Sequence, residues 1–145
     1  MSKFLKTMIL FGFMSIMMAS LGLSQNTDVK AIKQTIKTFA GAADAYDTDA
    51  IDTCTDDHYR IVMNRLFGSK GVGIVDKATY LKKIESKEWG GDKRSLSFEN
   101  ITVNGASASA KVTLKGEKAT FVSTFTLIKD GDGVWKLVED VPTVL

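Results

Sequence analysis

The stretch KDGDGVWKLVED, Lys129 to Asp140, can be read in two ways that lead to different proteins. As a calcium loop it would mark a metal-regulated helix-loop-helix unit. As a turn it would close the last hairpin of an antiparallel sheet. A calcium loop needs oxygen ligands at alternating positions, glycine at the sixth, glutamate at the twelfth and a helix on each side. Counted from Asp130, the sixth residue is Trp135 and the twelfth is Val141. Asp130 to Gly133 therefore reads as a turn, in which Asp and Gly supply a permissive backbone. A second acidic group, Asp47, Asp49, Asp52, Asp56 and Asp57, also lacks ligand spacing and reads as helix caps and solvated loop positions. No metal is expected.

Upstream of that turn, the chain alternates apolar and polar residues from about Lys93 onward: RSLSFENITV, ASASAKVTLK, KATFVSTFTLIK and VWKLVEDV, separated by turn residues. Three consecutive hairpins of this kind make a meander, with Asn104-Gly105 as the strongest turn signal. The apolar parity shifts from Leu96 and Phe98 to Ile101 and Val103, so a bulge is expected near Glu99 or Asn100. A bulge bends the sheet, and a bent sheet can wrap a helix.

The first half supplies helices. Val29, Ile32, Ile36, Phe39 and Ala43 recur at helical spacing, with Thr27 or Asp28 as the expected cap. A short helical turn, TDAIDTC, follows. HYRIVMNRLFG, His58 to Gly68, reads as a strand apolar on both faces, and DKATYLKKIES as a helix capped by Asp76. GSKGVG, Gly68 to Gly73, lacks the ending of a phosphate loop and reads as a connection.

Lys3 and Lys6 precede the uncharged run MILFGFMSIMMASLGL, which polar residues follow at once. This is the pattern of a secretory signal peptide, residues 1–24, with cleavage after Ser24. Residues 25–145 then form one domain of a secreted or periplasmic protein, taken to be a bacterial export and held by no stable membrane association. The sequon at Asn100-Ile101-Thr102 carries weight only in a eukaryotic secretory pathway. Cleavage removes two of 19 basic residues and none of 17 acidic ones, leaving 17 of each. A neutral domain has no footprint for nucleic acid. Cys54 is the one cysteine, so no internal disulfide is possible, and it reads as a small buried residue.

Helix, short helix, strand, helix and bent meander is an α+β order. With ITVNGASASAKVTL, FVSTFTLIKDGDGVWKLV and DAYDTDAIDTCTDDHYRIV, the chain resembles the nuclear transport factor 2-like superfamily, and within it the putative lumazine-binding and polyketide-cyclase-like groups. The resemblance implies a cone-shaped barrel in which N-terminal helices close a strongly bent antiparallel sheet over one pocket. It also implies a homodimer through the outer sheet face. The superfamily holds isomerases, dehydratases and cyclases beside members of no known activity, so the fold leaves function open.

The strand faces suggest a pocket independently. Ala106, Ala108, Ala110, Val112 and Leu114 share one face, whose small side chains leave volume for a close helix or a ligand. Phe121, Ser123 and Phe125 share the next, with Tyr59, Met63 and Arg65 opposite. These last six are the expected ligand-binding residues, with Arg65 holding an anionic or carbonyl group of a small flat molecule. No carboxylate is assigned to the interior, so binding without transformation is expected, and no cofactor. His58 is the alternative catalytic base, and an isomerase, dehydratase or cyclase the alternative function. A second alternative is a dimeric domain with no ligand, using Thr120, Val122, Thr124, Thr126 and Ile128 as its interface.

Overall fold

The computed structural model describes residues 3–145, with side chains from Gly22 onward. The expected leader, residues 1–24, lies mostly outside the described side chains. Helix α1 spans Lys3–Ala45, α2 Thr48–Cys54 and α3 Lys77–Glu85. The strands are β1 (Thr55–Asn64), β2 (Val72–Asp76), β3 (Ser95–Asn104), β4 (Ser107–Lys115), β5 (Thr120–Lys129) and β6 (Trp135–Val144), with a single 3-10 turn at Leu66–Gly68. Among the described residues no helix is long and apolar enough to cross a membrane.

The six strands form one sheet in the order β2-β1-β6-β5-β4-β3. All neighbours are antiparallel except β1 and β6, which run parallel. The sheet is curled and unclosed, with β2 and β3 as its edges, and α1 lies in its hollow. Strand β2 starts at Val72, inside the stretch read from sequence as a plain connection. The strand expected from His58 to Gly68 ends at Asn64, because Arg65 and Phe67 adopt left-handed backbone (φ 55° and 51°) and break the alternation.

The meander follows the alternation. The bulge falls where the parity changes: the β3–β4 register slips between Glu99 and Thr102, with Asn100 at φ 47°. Asn104 still pairs with Ser107, so the first hairpin turns on Gly105 and Ala106, one residue later than the Asn-Gly pair suggests. In the last hairpin the Asp130 carboxylate accepts the N–H groups of Asp132 and Val134 at 3.0 and 2.8 Å, and Gly133 takes φ 79°. That side chain is occupied in building the turn.

Ile32 and Ile36 of α1 are fully buried with Ala110 and Val112 of β4, Leu127 of β5 and Leu137 of β6. Asp28 does not cap α1. It sits within the helix, accepts the indole N–H of Trp135 at 3.0 Å and pairs with Lys129 at 2.6 Å. This ties α1 to the β5–β6 hairpin, and Lys129 also lies 5.2 Å over the Trp135 ring. At its other end α1 stops at Ala45, where Tyr46 turns left-handed (φ 60°). Beyond that stop the hollow of the sheet is no longer filled.

Candidate functional site

The unfilled end of the hollow is a cavity of about 410 Å3. Its sheet wall is set by register. Ser123 pairs with Pro142, Phe125 with Asp140 and Leu114 with Phe121, so alternation points Phe121, Ser123 and Phe125 inward together. Ile61 and Met63 extend that wall across β1. The opposite wall is Phe39, Ala43 and Asp44 of α1 with Tyr80 of α3, closed by Trp89 and Arg94 from the α3–β3 link.

Asp140 faces this cavity because of a second bulge. Trp135 and Leu137 point inward, and simple alternation would continue to Glu139. The register instead passes from Leu127–Leu137 to Thr126–Glu139, so Val138 is an extra residue and Asp140 takes the inward place. Glu139 points outward and pairs with Arg60 at 2.6 Å. Asp140 is 8% exposed, and its Oδ1 has no hydrogen-bond partner among the described residues. Burial pushes its pKa up to about 7, against the opposing pull of the Ser123 hydroxyl and the Arg94 charge.

Arg94 is delivered by two glycines. Gly90 and Gly91 take φ 85° and 67° and press on the end of α1 so closely that a Cβ on either would clash, with the Ala43 carbonyl and the Tyr46 hydroxyl respectively. The Gly91 N–H donates to Ala43 O at 3.2 Å. Arg94 then reaches Asp44, Nε to Oδ1 at 2.7 Å and backbone N–H to Oδ2 at 3.1 Å, and donates from Nη2 to Ala40 O at 2.8 Å. The pair is largely buried, with side chains 14% and 16% exposed.

Beneath the cavity lies Tyr59, its ring centroid 5.5 Å from that of Phe39, which is 5.7 Å from Tyr80 in the wall. The Tyr59 hydroxyl is buried without a partner among the described residues. Burial, and then the nearby Asp140 charge, hold its pKa well above the ordinary value. At the mouth, exposed Phe67 meets Phe121 edge-on at 6.4 Å. Asp92 forms the facing rim, accepting the N–H groups of Lys93, Glu117 and Lys118 at 2.8, 2.9 and 3.2 Å. Its partial burial works against ionisation, but those N–H donors prevail and lower its pKa.

Of the residues expected from sequence, Met63, Phe121, Ser123 and Phe125 line the cavity. Tyr59 is in the packed layer below it. Arg65 is exposed, because its left-handed backbone at the end of β1 turns the side chain away. The guanidinium in the cavity is that of Arg94. His58 lies on the outer face with its side chain 89% exposed, Nδ1 3.1 Å from Asp56, and takes no part in the cavity. The interior does hold a carboxylate, Asp140, contrary to expectation. Its position depends on the Val138 bulge, whose trace in sequence is only that Trp135 and Leu137 share a parity that Asp140 lacks. Cys54 is buried as expected, with burial raising its thiol pKa to about 11.

A curled six-stranded sheet around one long helix, with a cavity at the helix's end, places the chain in the nuclear transport factor 2-like superfamily. Within it, the chain belongs to the family described as "Putative lumazine-binding", which matches residues 27–141. Similar solved structures include an NTF2-like protein of unknown function from Silicibacter pomeroyi DSS-3, with 15% identity and TM-score 0.73 over 83% of this chain and 98% of that one. A second, from Methylobacillus flagellatus KT, is 19% identical with TM-score 0.68 over 82% and 93%. A protein from Shewanella frigidimarina NCIMB 400 titled a putative ketosteroid isomerase is 16% identical with TM-score 0.56 over 78% and 94%. Among curated proteins, none matches this sequence.

Proposed function

We propose that this chain is an exported protein that binds a small, largely flat organic molecule in the cavity between α1 and β5. The observation that carries the reading is Asp140 Oδ1, a buried acceptor with no partner among the described residues, in a largely aromatic cavity. An unmet buried polar group costs roughly 1–3 kcal/mol, and a ligand that donates to it recovers that cost. A cavity of about 410 Å3 is within the usual range for small-molecule sites. The test is a thermal-shift screen of pterins, flavins, steroids and aromatic acids on protein lacking residues 1–24. A ligand at 100 times its dissociation constant stabilises by about 2.7 kcal/mol, and Asp140→Leu removes most of that gain. A screen in which no compound shifts the transition overturns the reading. Export is tested by the N-terminus of the secreted protein, expected at Gln25.

A second reading, proton transfer in the same pocket, is favoured by one observation. Asp140 has its pKa near 7, where a carboxylate can take and return a proton at neutral pH. In ketosteroid isomerase one aspartate carries the proton as general base, while a second, buried and protonated, donates a hydrogen bond to the oxyanion. Turnover of an enolisable ketone that vanishes in Asp140→Asn while binding persists would establish it.

A homodimer is proposed through the outer sheet face. Thr120, Val122, Thr124, Thr126 and Ile128 of β5 continue through Val141 of β6 and Val62 of β1 to exposed Ile74 and Val72 of β2. Light scattering that gives a monomer at micromolar concentration overturns it.

A further inference from the structure

Resting on the binding reading above, we infer that the ligand is a planar hydroxyaryl carbonyl compound, its carbonyl oxygen held by Arg94 and its hydroxyl donating to Asp140.

The two polar groups enter the cavity from opposite walls and ask for opposite chemistry. Arg94 belongs to the helix wall. Its Nε, Nη2 and backbone N–H are committed to Asp44 and Ala40, and among the described residues its Nη1 has no partner. A guanidinium has only donors, so whatever meets Nη1 must accept. The two committed nitrogens hold the fork in place, so little freedom is lost when a ligand arrives. Asp44 already balances the guanidinium charge, so a neutral carbonyl is enough and a full negative charge is not required.

Asp140 belongs to the sheet wall. At pH 7.5, above the carboxyl's pKa of about 7, the ionised form predominates and only accepts, and Oδ1 is unmet among the described residues, so a ligand that donates there is favoured. Between these poles the lining is aromatic, with Trp89 and Phe121 above a floor where Phe39 and Phe125 meet edge-on at 6.1 Å. Such a slot suits a ring presenting its faces to other rings. A plain hydrocarbon would satisfy neither pole, an aryl ketone only Arg94, and a phenol only Asp140.

The experiment is a titration series at pH 7.5 on protein lacking residues 1–24, followed by calorimetry. The probes are 6-hydroxy-2-acetonaphthone, 2-acetonaphthone, 2-naphthol and naphthalene, which share one ring. The hydroxyketone is expected to bind at least about tenfold more tightly than either singly substituted probe, the factor one well-formed hydrogen bond confers. Asp140→Leu should erase the advantage of the hydroxyl, and Asp44→Asn with Arg94→Met the advantage of the ketone. The double substitution avoids stranding a buried charge, and if either variant fails to fold, the wild-type series decides alone. Equal affinities for all four probes overturn the inference and leave the binding reading standing. Failure of all four to bind also overturns it, and the binding reading falls only if the broader screen is silent as well.

Discussion

The two ends of the hollow are built by the same three strands, yet one is solid and the other open. At the solid end, Ala108, Ala110 and Val112 face Ile32 and Ile36 with Leu127 and Leu137 beside them, all at most 5% exposed. At the open end, Leu114, Phe121 and Ser123 face a cavity. Along β4, the small Ala108 and Ala110 are thus where space is absent and the larger Leu114 where it is present. Alanines let α1 come close, and Asp28 pins the helix there by bonding Trp135 and Lys129. The cavity arises instead from where the helix stops, at Ala45, and from the Gly90-Gly91 link that seals its end without filling the space. Volume in such a fold is set by the length of the packed helix more than by the size of the strand residues.

The sharpest way to break this comparison is to truncate one large side chain at each end. Ile36→Ala should cost about 3 kcal/mol, since a fully buried branched residue leaves a void that its neighbours cannot close. Phe121→Ala removes a half-buried ring from a wall that already borders empty space and should cost about 1 kcal/mol. Chemical denaturation of both variants checks the pair, and equal losses would refute a difference in packing.

Removal of the tether tests why the solid end is solid. Asp28→Ala loses the Trp135 N–H bond and the Lys129 pair, and about 1 kcal/mol is expected from the bond. The loss should appear in a shifted denaturation midpoint and in increased mobility of the Trp135 indole.

Between about pH 4 and 7 the open end should also respond to pH where the solid end does not, since Lys129 and Trp135 hold the Asp28 carboxyl below its ordinary value. The folded pKa of Asp140, about 7, lies above its ordinary value of 3.8, so the folded chain holds that proton more tightly than the unfolded one. This contribution is complete below about pH 4, is lost as pH rises through about 7, and is constant above. Asp140→Asn cannot ionise. The stability of the wild type relative to this variant should therefore fall between about pH 4 and 7 and level off, as followed by melting temperature across buffers.

Much of this was legible from residue order. The alternation after Lys93 gives the meander, the parity change at Glu99 gives the first bulge, and Ile32, Ile36 and Phe39 give the helix that fills the sheet. Strand β2 was hidden because Gly73 and the Gly-Ser-Lys-Gly approach carry turn chemistry, and pairing with Val62, Met63 and Asn64 overrides it. The chemical groups of the cavity were the least legible. Arg65 and Arg94 are alike in sequence, and only the left-handed turn after Asn64 and the glycine link before Asp92 decide which faces inward. Asp140 lies near a strand end and was not assigned to the interior, and plain alternation from Trp135 and Leu137 also leaves it out; the bulge at Val138 inverts the later side chains of β6 and turns it inward.

The Asp92 latch gives the mouth a life of its own. One carboxylate gathers amides from the loop before β3 and from the β4–β5 turn, and Gly116 leaves just the room it needs. None of these bonds reaches the core. The rim can therefore breathe, opening and reclosing many times for each unfolding of the whole chain, and a ligand's residence time would be set by that rhythm rather than by global stability. Deuterium exchange should register the smallest of the expected effects: in Asp92→Ala the Glu117 and Lys118 amides exchange faster, while those of Val112 and Phe125 do not.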